Sequence, residues 1–150
     1  MRHEQHEWAG RIKACEREFL VMRLAVEHLR GVALPRPDVL RGAFRVGDID
    51  LAASLLESTY VVRLYAVFES GLRSFWETAR DTHPPMRQLL DSIASSQAIP
   101  YDDLENAHKA RRYRNTLVHE GGEAANPVAL PLFRRHLTMY LRHLPPSWGG

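Results

Sequence analysis

Apolar residues recur along this chain at helical spacing, and no strand-length run alternates apolar with polar. Trp8, Ile12, Cys15, Phe19, Met22, Val26 and Leu29 alternate steps of four and three, which sets them on one narrow stripe of a long first helix. Gly31, Pro35 and Pro37 end that helix, and the stretch from Gly31 to about Asp48 reads as a long ordered loop. The strongest pattern follows, from about Asp50 to Arg80. Leu51, Val61, Val62, Leu64, Tyr65, Phe68, Leu72, Phe75, Trp76 and Ala79 crowd one face, while Arg63, Ser70, Arg73, Glu77 and Thr78 take the other. Asp48 or Asp50 is placed to cap its first turn.

Pro84 and Pro85 interrupt this helix before a short one from about Met86 to Ser96, with Leu89, Leu90 and Ile93 as its apolar contacts. A fourth runs from Ile99-Pro100-Tyr101-Asp102 to about His119, stopped by Glu120-Gly121-Gly122. The last spans roughly Val128 to His143 and turns Leu130, Phe133, Leu137, Tyr140 and Leu141 one way. These elements predict an all-α antiparallel bundle of four to five helices. It forms a single domain over residues 1–150, with residues 1–6 and 145–150 as flexible tails.

The composition changes this picture little. With 45% hydrophobic and 25% charged residues the chain is of ordinary globular type, neither fibrous nor broadly disordered. A net charge of +2 is too mild to diagnose nucleic-acid binding. Cys15 is the only cysteine, so an internal disulfide is excluded, and its place on the apolar stripe marks it as core. The polar N-terminus and the lack of a long apolar run point to a cytoplasmic protein without a membrane span. His3 and His6 form an HxxH pair, which in a fraying terminus is solvated more often than metal-bound; no metal or cofactor is expected.

Two residues break the apolar pattern. Glu69 falls near the edge of the second helix's apolar face, between Val62, Tyr65 and Trp76. Arg114 lies inside the stripe formed by Leu104, Ala107, Ala110, Leu117 and Val118 on the fourth helix. A buried guanidinium needs acceptors, and Glu69 carries the complementary anomaly, so the two are expected to pair. Such a pair is also explicable as a purely structural link between helices. Asn115 and His119, four apart, stack on one edge of the fourth helix, with His108 and Arg111 on the same side. Lys109, Arg111 and Arg112 add positive charge and are candidate RNA contacts, although a solvated basic face has the same composition.

An imidazole titrating near neutrality moves protons, and a guanidinium holds a phosphate through parallel hydrogen bonds. Together they suffice for metal-free RNA cleavage, in which a base activates the ribose 2′-hydroxyl against its own phosphate. The leaving 5′-oxygen also needs an acid, which a second chain would supply. A histidine at a helix C-terminus is equally accounted for by the helix dipole.

The string RNTLVH, Arg114 to His119, resembles the R-x4-H form of the signature of HEPN domains, with the polar residue the family favours after the arginine. The upstream run YVVRLYAVFESGLRSFWE resembles a helix that members of the family carry, with its glutamate at Glu69. The resemblance covers most of the chain and implies a homodimeric, metal-independent endoribonuclease with two motifs in one composite cleft. It makes Arg114 and His119 catalytic and Asn115 and Glu69 supporting. RNA would be the substrate, and an antitoxin or defence protein a partner. Toxins of this family silenced by nucleotide transfer carry a tyrosine two residues after the histidine; here that position is Gly121. Other members are non-catalytic modules that bind a partner protein or a nucleotide, which is the alternative.

Overall fold

A computed structural model describes residues 3–119 and 125–149. Its elements are β1 (His3–Glu4), α1 (Gln5–Ala33), a 3-10 turn (Pro37–Leu40), α2 (Val46–Glu77), α3 (Met86–Gln97), α4 (Tyr101–Val118), α5 (Leu130–Leu141) and β2 (Ser147–Trp148). The fold is an all-α bundle, as the periodicity predicts. The expected glycine stop at Glu120-Gly121-Gly122 lies outside the described residues.

The C-terminal half of α2 is the axis of the core. Val61, Leu64, Phe68 and Leu72 are fully buried, and Trp8, Ile12, Cys15 and Phe19 of α1, Leu89, Leu90 and Ile93 of α3, and Leu130, Phe133, Leu137 and Tyr140 of α5 close around them. Phe68 meets Tyr140 edge-on at 5.7 Å between ring centroids, a favoured aromatic arrangement. The Tyr140 hydroxyl donates to the Leu90 carbonyl at 2.7 Å, so its burial leaves no donor unpaired. Burial also pushes the Tyr140 and Cys15 pKa values up. By length and composition α2 is apolar enough to cross a membrane, and 28% of its apolar window is buried inside the bundle.

The remainder of the α1 stripe behaves differently. Beyond Phe19, α1 meets the first half of α2 in a two-helix arm sealed by a second small cluster of Ala33, Leu40 and Ile49, with Val26 and Val46 packed against it. Met22, Leu29 and Leu51, expected in the core, are exposed (43%, 43% and 60%); among the described residues only α1, the 3-10 turn and α2 contribute to the cluster that seals this arm. Most exposed large apolar side chains among the described residues lie here, including Leu20, Val21, Leu24, Phe44 and Leu55. The expected loop is shorter than read, since α1 continues to Ala33 and α2 starts at Val46. Asp48 serves the α2 N-terminus from inside the first turn, accepting from the Arg45 backbone N–H at 2.8 Å, whereas Asp50 pairs with Arg30.

The chain ends differ from the flexible tails expected of them. β1 and β2 pair antiparallel, with His3 opposite Trp148 and Glu4 opposite Ser147. Gln5 donates to the carbonyls of Leu141 and Leu144, capping the end of α5, and buried Trp148 donates to Ser74 at 3.1 Å. His6 pairs with Glu4, separately from His3, and among the described residues no group of three potential metal ligands occurs.

If the core is centred on Phe68, Phe68→Ala is expected to cost about 3–5 kcal/mol. Phe44→Ala, at the exposed tip of the arm, is expected to stay within about 0.5 kcal/mol. Urea denaturation of both variants checks this assignment.

Candidate functional site

Arg114 does not pair with Glu69. The Glu69 carboxylate is held by Arg73, one turn further along α2, at 2.9 Å, and Arg73 also donates to the Pro84 carbonyl. Arg73 therefore faces the protein rather than the solvent side to which its wheel position assigns it. Arg114 instead lies with its guanidinium carbon 5.4 Å from the centroid of the Tyr65 ring, and a terminal nitrogen donates to the Asn115 amide oxygen at 3.2 Å. A cation over an aromatic face is worth about 0.5–2 kcal/mol. That contact explains how a permanent charge is tolerated inside an apolar stripe.

Tyr65 is the residue that sequence reasoning missed, because its position on the α2 apolar face marks it only as core. Its ring is packed between Phe68 and Phe133, at 5.8 and 6.4 Å, and its hydroxyl is buried without a hydrogen bond. Burial, reinforced by the Glu69 charge, pushes the hydroxyl pKa far up against the opposing pull of Arg111, Arg114 and Arg73. Four charged groups thus converge on one buried hydroxyl. The Nε–H of Arg114 is likewise buried and unpaired. Unsatisfied buried groups of this kind cost about 1–3 kcal/mol each, and such strain concentrates at sites that receive a ligand.

His108, on the buried side of α4, joins α3 to this cluster. Its Nε2 is 2.7 Å from Asp91, and the Arg111 Nε–H donates to its Nδ1 at 3.3 Å. Arginine can only donate, so Nδ1 accepts and the proton sits on Nε2, facing the carboxylate. The relay Arg111 to His108 to Asp91 fixes the Arg111 fork beside Tyr65, where burial lowers the Arg111 pKa. His119 is the C-cap of α4: its backbone N–H donates to the Asn115 carbonyl at 2.9 Å, the chain turns to an extended conformation, and the residue is exposed.

The other candidate cations diverge. Arg112 pairs with Glu105 at 2.7 Å, and Lys109 lies toward α5, where its charge acts on His136. Only Arg111 of the three faces the Tyr65 cluster, because successive helical residues are about 100° apart. The arrangement lays Arg114, held by Asn115, over the Tyr65 ring, and the charges of Arg111 and Arg73 also act on the Tyr65 hydroxyl. An exposed imidazole, that of His119, stands at the end of the same helix. No family model, curated protein or solved structure matches the chain.

Tyr65→Phe keeps the platform and removes the unpaired hydroxyl, so stability is expected to hold or rise, whereas Tyr65→Leu is expected to lose about 1–3 kcal/mol in urea denaturation. For His136, burial first and then Lys109 and Arg135 hold the pKa below the ordinary 6.5. The unfolded chain consequently takes up that proton first, and the stability due to neutral His136 is present above pH 6.5 and lost as the pH falls below it. A His136→Gln variant should lose less stability than wild type between pH 7.5 and 5.5, measured by the same method.

Proposed function

We propose that this chain is a metal-independent endoribonuclease of HEPN type, acting as a homodimer in a prokaryotic toxin or antiviral-defence role. The observation that carries the reading is the setting of Arg114, pinned on Tyr65 with Arg111 alongside while His119 of the same motif stands exposed at the end of α4. In the reaction, His119 of one protomer takes the proton of a ribose 2′-hydroxyl. The 2′-oxygen attacks phosphorus, forming a P–O2′ bond as the P–O5′ bond breaks. Arg114 neutralises the charge that accumulates on the phosphorane oxygens. The partner's His119 gives a proton to the departing 5′-oxygen, so the products are a 2′,3′-cyclic phosphate and a 5′-hydroxyl.

The exposed apolar side chains of the α1–α2 arm, Leu20, Val21, Leu24, Phe44 and Leu55 among them, support self-association, since clustered apolar surface marks interaction sites. They also favour a second reading, a non-catalytic module that binds a partner protein.

Incubation of the pure protein with total RNA tests the proposal. Cleavage should persist in EDTA, fall about 100-fold or more in His119→Ala and in Arg114→Ala, and leave 2′,3′-cyclic phosphate ends. A folded His119→Ala variant that cleaves like wild type would falsify the catalytic assignment, and absence of cleavage under every condition selects the binding module. Light scattering is expected to show a dimer that Leu24→Glu or Leu55→Glu converts to monomer.

A further inference from the structure

Next to the Tyr65 cluster, the C-terminal ends of α2 and α3 enclose an open groove of about 600 Å³. One wall is the Trp76 ring, with the Arg80 guanidinium 5.2 Å from a ring centroid. The other wall carries Ser92, Ser95 and Gln97, and Asp91 closes the end where it meets His108. Trp76 is held in place by its indole N–H, which donates to Thr82 at 3.1 Å. An aromatic face, a guanidinium that stacks with it, and hydroxyl, amide and carboxylate groups on the facing wall form a surface suited to a flat heterocycle with a polar edge. An apolar ligand would leave the polar wall unpaired, and a lone phosphate would meet the Asp91 charge.

We propose that this groove binds an unpaired base of an RNA strand, seating the nucleotide next to the phosphate held by Arg114 and Arg111. The assignment rests on the ribonuclease reading and names the subsite through which the strand is gripped. Asp91 links the two halves: it bounds the groove and anchors, through His108, the Arg111 fork. A base seated against Trp76 is therefore connected, through Asp91 and His108, to the guanidinium proposed to meet its backbone. The signal lay in the sequence only as Trp76 at the edge of an apolar face and as closely spaced serines on a short helix, neither of which indicates a groove until α2 and α3 are brought together.

The probe is a 2′-O-methyl hexaribonucleotide, which has no free 2′-hydroxyl to attack and so reports binding alone. Trp8 and Trp148 are buried (8% and 6% exposed), so quenching of tryptophan fluorescence reports Trp76. Saturable quenching is expected, with affinity by fluorescence anisotropy about tenfold weaker in Trp76→Leu. Ser95→Glu, at an exposed position that the core does not use, is expected to weaken binding to a similar degree, while Phe44→Ala at the tip of the arm leaves it unchanged. Binding without quenching, or unaltered binding by Ser95→Glu, overturns the groove. A mononucleotide that binds as tightly as the hexamer overturns the assignment to an RNA strand in favour of a free nucleotide. If wild type cleaves RNA while Ser95→Glu changes neither affinity nor KM, the groove fails and the ribonuclease reading survives. Quenching without any cleavage has the opposite meaning.

Discussion

Everything in this molecule depends on the burial of the second half of α2. Leu64, Phe68 and Leu72 have no solvent exposure, and α1, α3 and α5 supply their apolar surroundings. Because Phe68 and Phe133 lock the Tyr65 ring, its face is a fixed plate rather than a mobile side chain, and α4 can lay Arg114 across it. Side chains in a close-packed interior have few alternative rotamers, so the position of the guanidinium is determined by the core itself.

The charges around this plate are arranged with a consistent logic. Glu69 is neutralised by Arg73 on its own helix, and among the described residues neither Arg114 nor Arg111 forms a salt bridge with a carboxylate. Arg111 is braced by the His108 imidazole instead, whose far nitrogen carries the bond to Asp91. Positive charge held by an aromatic ring, an amide and an imidazole retains its attraction for an anion, which a direct salt bridge would have spent internally. The same separation applies to shape. The bundle is closed where the plate needs rigidity, whereas the α1–α2 arm keeps apolar faces uncovered at a distance from it.

The stripe from Trp8 to Phe19, the faces of α3 and α5, and the central face of α2 were readable because periodicity reports which side of a helix is apolar. The same periodicity continues through Met22 and Leu29 into the arm, where it no longer means burial, since a pattern of spacing cannot say whether a partner helix is present. Arg114 was identifiable as an anomaly within its stripe. Its partner was not: Glu69 matched it as an opposite anomaly, but Arg73 was closer along the helix, and an i,i+4 pair forms without any tertiary arrangement. Tyr65 was invisible as a platform because a core aromatic and a cation-binding aromatic share one position on the wheel.

By itself the sequence determined an all-α bundle, the approximate extents of its helices, and a charged, protonatable motif at the end of the fourth helix. These follow from local rules: hydrophobic period, proline and glycine breaks, and the placement of titratable side chains on one helix. The tertiary structure alone decided that the chain ends pair, that Arg114 rests on Tyr65, that Lys109, Arg111 and Arg112 point apart, and that Trp76 lines a groove with the serines of α3. Each of these depends on the relative rotation of two helices, which is set by packing between residues far apart in the chain and leaves no trace in the spacing of either helix alone.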